Sequence, residues 1–355
     1  MGEETTKQDA VWPPFWRSGI LMGESVLFVR EAGSDQATAT LLFPADEIVE
    51  LRTADGVAGF ETGRDYQLLP NRHTLMRPEG SRIPFRNAVE LFPPKGWPHS
   101  IGHKTGDPET FLLWSEGSFF HDQQVNVTYR HSARWDGWCP SGPSPLLARS
   151  RALLAERKAL TLAVSGDSIS AGYNASGMVA AAPSMPAYPG LVAARLEQST
   201  GSKITLINRA VGGWNSGHGV EDLPKLLESK PDLVILAYGM NDVGQRDPAR
   251  YRKNLAIMID RIRATPNQPD IILVASMLGN PQWVATPSES FPAYRDILAS
   301  FVQPGIALAD VTRLWQELLR YKRYTDMTGN GVNHPNDWGH RLYAQVVLSL
   351  LMPAE

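Results

Sequence analysis

From residue 160 onward, five short apolar runs recur at 160–164, 204–207, 232–237, 270–275 and 306–310, with helix-compatible stretches between them. Strands this apolar are buried on both faces, and strands joined through helices run parallel. The expected fold of this region is therefore α/β: a doubly wound, parallel five-stranded sheet with helices on both faces. The helices are expected at 188–198, 220–228, 248–264, 292–302 and 311–321, with a last one at 337–351. Stretch 146–159, rich in Ala, Leu and Arg, reads as a helix or helical linker leading into the first strand. Such sheets keep their chemistry at the carboxyl ends of the strands, so the residues just past each run are the ones to inspect.

The first 140 or so residues obey a different pattern. Alternating, β-rich runs at 25–29, 37–43, 48–52 and 124–129 are separated by turn signals such as Ala54-Asp55-Gly56, Glu79-Gly80-Ser81 and Pro93-Pro94-Lys95-Gly96. Closely spaced strands without intervening helices predict a β-sandwich or small jelly-roll. Pro140, Gly142, Pro143 and Pro145 mark the boundary, so the expected division is a β-rich domain at 1–145 and an α/β domain at 146–355.

Composition removes several classes of function. A formal charge of −3 offers no reason to expect nucleic acid or an anionic membrane as partner. The single cysteine, Cys139, allows no intrachain disulfide and argues against a Cys-based metal site. His99 and His103 are four apart, but Pro98, Gly102 and Gly106 place them in a loop, and no metal is assigned. Residues 1–9 are polar and acidic, without the basic and apolar segments of a signal peptide, and no window reaches the ~18 apolar residues of a membrane span. The expectation is a soluble protein, cytoplasmic if the chain is complete.

Four segments carry the chemistry. Gly166-Asp167-Ser168 follows the first apolar run directly, so Ser168 is either a nucleophile at the sheet edge or a helix cap. Ala210-Val211-Gly212-Gly213 follows the second run, and consecutive glycines let a backbone N–H approach a substrate closely. Gly239-Met240-Asn241-Asp242 follows the third run and places a side-chain amide at the same edge, as an oxyanion donor or a turn residue. Asn333-His334-Pro335-Asn336 precedes the last helix. Pro335 keeps His334 on a short loop, a sound mounting for a general base. His340 reads as structural, and Asp167 and Asp242 as acceptors for neighbouring backbone N–H groups.

In this order, over roughly residues 158 to 352, the four blocks resemble those of the SGNH hydrolase superfamily, the GDSL esterases and lipases. The resemblance implies a flavodoxin-like three-layer fold, Ser168 as nucleophile, His334 as base, and an oxyanion hole from the Ser168 N–H, the Gly213 N–H and the Asn241 side chain. It implies no cofactor or metal. One position departs: the family carries its triad Asp three residues before the His, and here Gly331 stands there. Asp326 is the replacement favoured, with Asn330, Asp310 and a Ser–His dyad oriented by a backbone carbonyl as alternatives.

A β-rich module before such a domain is similar to the plan of two-domain carbohydrate esterases. That likeness implies a serine esterase removing small acyl groups, acetyl first, from a carbohydrate or another small ester. In this reading segment 119–127 and Trp114, Trp135 and Trp138 face a sugar; otherwise the tryptophans serve packing. The alternatives are a lipase, lysophospholipase or thioesterase of the same superfamily, and a non-catalytic glycan-binding protein. Nothing in the residues addresses the oligomeric state.

Overall fold

The computed structural model describes residues 13–353; the polar N-terminal stretch discussed above lies outside them. In the strand-rich part the chain forms β1 (Ile20–Val26), β2 (Phe28–Arg30), β3 (Ala37–Thr40), β4 (Glu47–Thr53), β5 (Gln67–Leu68), β6 (Thr74–Arg77), β7 (Phe85–Asn87), β8 (Ser100–Ile101), β9 (Leu112–Leu113) and β10 (Val125–Arg130). Two principal sheets result, one ordered β1-β10-β4 and antiparallel, the other β5-β6-β3-β2-β7. Alternate residues of β10, Val125, Val127 and Tyr129, are buried, as expected of a strand with one face on a core.

After α1 (Ala148–Ala155), shorter than the linker helix read from the sequence, come β11 (Leu160–Gly166), α2 (Ser168–Ala171), α3 (Tyr188–Thr200) and β12 (Ile204–Asn208). Next are α4 (Ser216–Leu227), β13 (Leu233–Ala237), α5 (Met240–Gln245), α6 (Pro248–Arg263) and β14 (Asp270–Ala275). The chain ends with α7 (Phe291–Ala299), β15 (Ile306–Asp310), α8 (Val311–Leu318), α9 (Tyr324–Met327) and α10 (Asp337–Leu351). All five strands from β11 to β15 pair in parallel, in the order β12-β11-β13-β14-β15.

Every residue of β13 and β14 is buried, which requires cover on both faces. α3 packs with α10 on one side, and α4, α6 and α7 line the other. Burying each Val, Leu or Ile of these strands contributes about 1.5–3 kcal/mol relative to exposure. The order reverses beside β11: the chain steps outward to β12 and then crosses back to β13. That reversal opens a crevice at the carboxyl ends of the strands.

The two parts are joined by buried polar contacts. The Lys322 ammonium pairs with Glu24 of β1, both side chains removed from water, and donates to the Thr40 carbonyl at 2.6 Å. A register shift in β1 between Leu21 and Glu24 leaves Gly23 at φ +58°, and there the Arg341 guanidinium of α10 donates to the Gly23 carbonyl at 2.5 Å.

Candidate active site

β11 ends at Gly166, and Asp167 then turns the chain into α2, its carboxylate accepting the Ile169 N–H at 3.0 Å. Gly166 is required by crowding: a Cβ there would meet Ser170 Oγ at 2.6 Å. Ser168 is thereby the first helical residue, with an N–H that has no intrahelical acceptor. Its hydroxyl lies 2.9 Å from His334 Nε2. Both residues are largely buried.

The glycine segment after β12 is a tight turn in which the Trp214 N–H donates to the Val211 carbonyl at 3.2 Å and Gly213 has φ +79°. A positive φ at the third position is what a type II turn demands, and only glycine adopts it freely. Gly213 is exposed, with open space where a side chain would stand. The turn is held from below: Asn208 Nδ2 donates to the Ser170 carbonyl at 2.7 Å, and Arg209 grips Asp222 of α4 with two bonds of 2.6 Å. After β13, Asn241 Nδ2 donates to the Trp214 carbonyl at 2.7 Å, which orients the amide and leaves its second N–H for another acceptor. The three expected oxyanion donors thus stand at the ends of β11, β12 and β13.

His334 sits on a closed loop. Thr328 Oγ1 and the Gly329 N–H both donate to its carbonyl, at 2.9 Å each. Asn330 Oδ1 accepts the N–H groups of Val332, Asn333 and His334, each at 3.1 Å. The Asn330 amide is therefore fixed with Nδ2 outward, donating to Asn333 Oδ1 at 2.9 Å and Glu116 Oε1 at 3.1 Å. Asn330 Nδ2 also lies 3.0 Å from His334 Nδ1, but both its hydrogens are already placed, so this is proximity.

The acceptor for His334 Nδ1–H is Asn174 Oδ1, 2.8 Å away. The Asn174 amide cannot face the other way, because its Nδ2 donates to the carbonyls of Gly117 and Gly329, both at 3.1 Å. Nδ1 therefore carries the hydrogen and Nε2 is left to accept from Ser168, the tautomer a general base requires. Glu116, from the strand-rich part, brings Oε1 to 3.5 Å from the same Nδ1. Partial burial works to raise the Glu116 carboxyl, but contacts with His334 and Asn330 outweigh it and hold the group below its ordinary value.

The acid favoured from the sequence is elsewhere. Asp326 Oδ1 accepts the Leu27 N–H at 2.8 Å, Oδ2 accepts the Arg323 N–H at 3.1 Å, and Lys322 lies 3.5 Å away. A bridge between Thr328 and Pro335 closes the histidine loop, and α9 turns the Asp326 carboxylate toward the strand-rich part instead. Asp310 caps α8 and pairs with Arg295 at 2.6 Å. Asn330 shapes the loop. Neither Asn174 nor Glu116 carries a recognisable motif, and sequence reading passed over both.

Asp167 and Asp242 accept backbone N–H groups. Burial, helped by the Asp242 charge, lifts the Asp167 carboxyl to about 7. Asp242 accepts Ser216 Oγ at 2.5 Å and is raised by burial too. His340 lies buried between the Tyr188 N–H and the Tyr173 carbonyl, and burial lowers it to about 4. Trp135 packs edge-on against Phe15, and its indole N–H donates to the Trp138 carbonyl at 3.0 Å. The Trp138 ring lies under Arg313. Among the described residues no group of His, Cys, Asp and Glu is arranged to hold a metal ion, and no helix is long and apolar enough to cross a membrane.

Known proteins are similar to this chain. An arylesterase of Vibrio mimicus is 37% identical over 105 residues, 29% of this chain and 48% of its own, so the chain spans about half the length of that curated relative. Solved structures of similar fold include a two-domain esterase active on acetylated mannans, at 21% identity and TM-score 0.48, covering 61% of this chain and 55% of the other. Another is a catalytic mutant of an acetylxylan esterase from Geobacillus stearothermophilus, at 19% identity and TM-score 0.45, covering 54% and 94%. The family model described as GDSL-like lipase/acylhydrolase matches residues 164–342, which span the segments bearing Ser168, Gly213, Asn241 and His334; the chain belongs to that family.

Proposed function

We propose that this protein is a serine esterase that hydrolyses short-chain carboxylic esters, acetyl esters first, through an acyl-Ser168 intermediate. The observation that carries the reading is the 2.9 Å contact between Ser168 Oγ and His334 Nε2, with the histidine tautomer set from the other side by Asn174. In the first step the Ser168 O–H bond breaks and its proton passes to Nε2, while Oγ bonds to the acyl carbon. The N–H groups of Ser168 and Gly213 and the Asn241 amide receive the developing oxyanion. His334 then returns the proton to the leaving alcohol, and water repeats the sequence to release the acid.

Short acyl groups are favoured by Tyr173. Its hydroxyl fills the space beside Gly212, so close that a Cβ on Gly212 would lie 2.5 Å from it, and its ring stands edge-on to His334 at 5.3 Å. This side chain narrows the site between the glycine turn and the base. A carbohydrate alcohol is favoured by the rim contributed by the strand-rich part, where His99 stacks on Phe119 at 4.6 Å, next to Ser115 and Glu116. In this reading, residues 146–355 form the catalytic domain and residues 1–145 supply that rim.

The test is the initial rate on p-nitrophenyl acetate, butyrate and octanoate and on an acetylated oligosaccharide, for wild type and Ser168→Ala. Hydrolysis that falls steeply beyond butyrate and vanishes in the variant supports the reading. Faster turnover of octanoate would replace it with a lipase or thioesterase, and glycan binding without hydrolysis of any ester would replace it with a binding protein.

A further inference from the structure

We infer that the strand-rich part contributes the acid of this site: the Glu116 carboxylate faces the Nδ1 edge of His334 and balances the charge the imidazole acquires on taking the Ser168 proton. The inference rests on the esterase reading above. Glu116 acts through His334, so it is a positioning residue, and the N-terminal half becomes part of the catalytic apparatus.

The first support is what Nδ1 bonds to. Asn174 Oδ1 fixes the tautomer, but an amide carries no charge and stabilises an imidazolium poorly. A carboxylate 3.5 Å from Nδ1 supplies what the amide lacks. Around the ring stand Ser168, Asn174, Asn330, the Tyr173 ring edge and, further off, His340, which burial keeps neutral at working pH. Glu116 is the anionic member of that set.

The second support is why the acid is missing from its usual position. Gly331 has φ +94°, and a Cβ there would run into the Leu113 carbonyl oxygen and come within 2.9 Å of Phe120 Cζ. Leu113 belongs to β9, three residues before Glu116. The segment that crowds a side chain at 331 is therefore the same segment that brings a carboxylate to the histidine.

The third support is that Glu116 is held in place. Asn330 Nδ2 donates to its Oε1 at 3.1 Å, and the Ser115 N–H donates to the Asn330 carbonyl at 3.3 Å. On the other side the Gly117 carbonyl accepts from Asn174 at 3.1 Å. The histidine loop is further tied to the strand-rich part through Asn336 Nδ2, which donates to Ser25 Oγ and Gln124 Oε1 at 2.9 Å each.

The side chain is 43% exposed, so water screens its charge and its removal should cost less than the ~10⁴ seen when a buried triad aspartate is neutralised. The test compares Glu116→Gln, Glu116→Asp and Glu116→Ala with wild type on p-nitrophenyl acetate from pH 5 to 9, with Tm and the labelling rate by a fluorophosphonate. Glu116→Gln should lower kcat about ten- to hundredfold with KM and Tm unchanged. It should also move the acid limb of kcat/KM to lower pH, because a nearby anion favours the protonated ring and its loss does the reverse. Glu116→Asp should recover part of the rate, and added formate should restore Glu116→Ala. A wild-type rate and pH profile in Glu116→Gln would overturn the inference. So would a rate loss that follows Tm and that formate leaves unchanged. Absence of both hydrolysis and labelling in wild type would instead remove the esterase reading first.

Discussion

Asn174 Oδ1 lies 2.8 Å from Nδ1 of His334, although 160 residues separate the two in sequence. The amide is locked by the carbonyls of Gly117 and Gly329, so one side chain ties the position of both halves of the chain to His334. Asn174→Ala should free the ring to adopt the wrong tautomer. The expected result is a kcat lower by about 10²-fold with KM little changed, read from saturation kinetics on an acetate ester. An unaltered kcat would show that Glu116 alone orients the ring. Asn174→Asp should not improve on the native residue, because one carboxylate oxygen would face two carbonyl oxygens.

Asn241 carries a separable expectation. Its amide already spends one N–H on the Trp214 carbonyl, which leaves the other to donate elsewhere. Asn241→Ala should lower kcat by about 10²–10³ without a comparable change in KM, the usual effect of removing one oxyanion donor. A change confined to KM would place the amide in ground-state binding.

Restoring an acid at position 331 should fail. Gly331→Asp forces a side chain onto a backbone at φ +94° and against the Leu113 carbonyl and the Phe120 ring. The combined strain and overpacking should destabilise the protein by about 2 kcal/mol or more, measured by denaturant unfolding, and activity should fall with it. A stable, more active variant would mean that the histidine loop and β9 separate freely.

What could be read without a structure follows from distance along the chain. The parallel sheet was legible because the apolar runs and the helical periodicity are local properties; the expected strands at 270–275 and 306–310 and the last helix at 337–351 coincide with β14, β15 and α10. Ser168 and His334 stood out because each sits in a short segment with its own turn chemistry. The partners of His334 did not. Asn174 lies in a connection with no periodicity, and Glu116 lies in the other half of the molecule, where nothing local distinguishes it from a solvated glutamate. Asp326 misled for the same reason: its proximity in sequence was visible, whereas the Leu27 N–H that claims it is 299 residues away.

Asp167 ties the site to stability. Its carboxyl is buried beneath the nucleophile turn, close to Asp242, and is raised from 3.8 to about 7. The folded protein therefore holds this proton at pH values where the unfolded chain has released it. For a group raised in this direction, the stabilisation is complete below about pH 4 and is lost as pH climbs to about 7. Asp167→Asn keeps an acceptor for the Ile169 N–H and removes the ionisation. Relative to wild type, the variant should gain stability from pH 5 to about pH 7 and level off by pH 8. The whole titration is worth about 4 kcal/mol, from roughly three pKa units at 1.36 kcal/mol each, and about two of those units, ~3 kcal/mol, fall between pH 5 and pH 8. Urea unfolding of both proteins at the two pH values measures the difference directly. A variant-minus-wild-type difference that stays flat across that range would mean Asp167 is ionised in the folded protein, with its charge met by the turn and by water in the crevice.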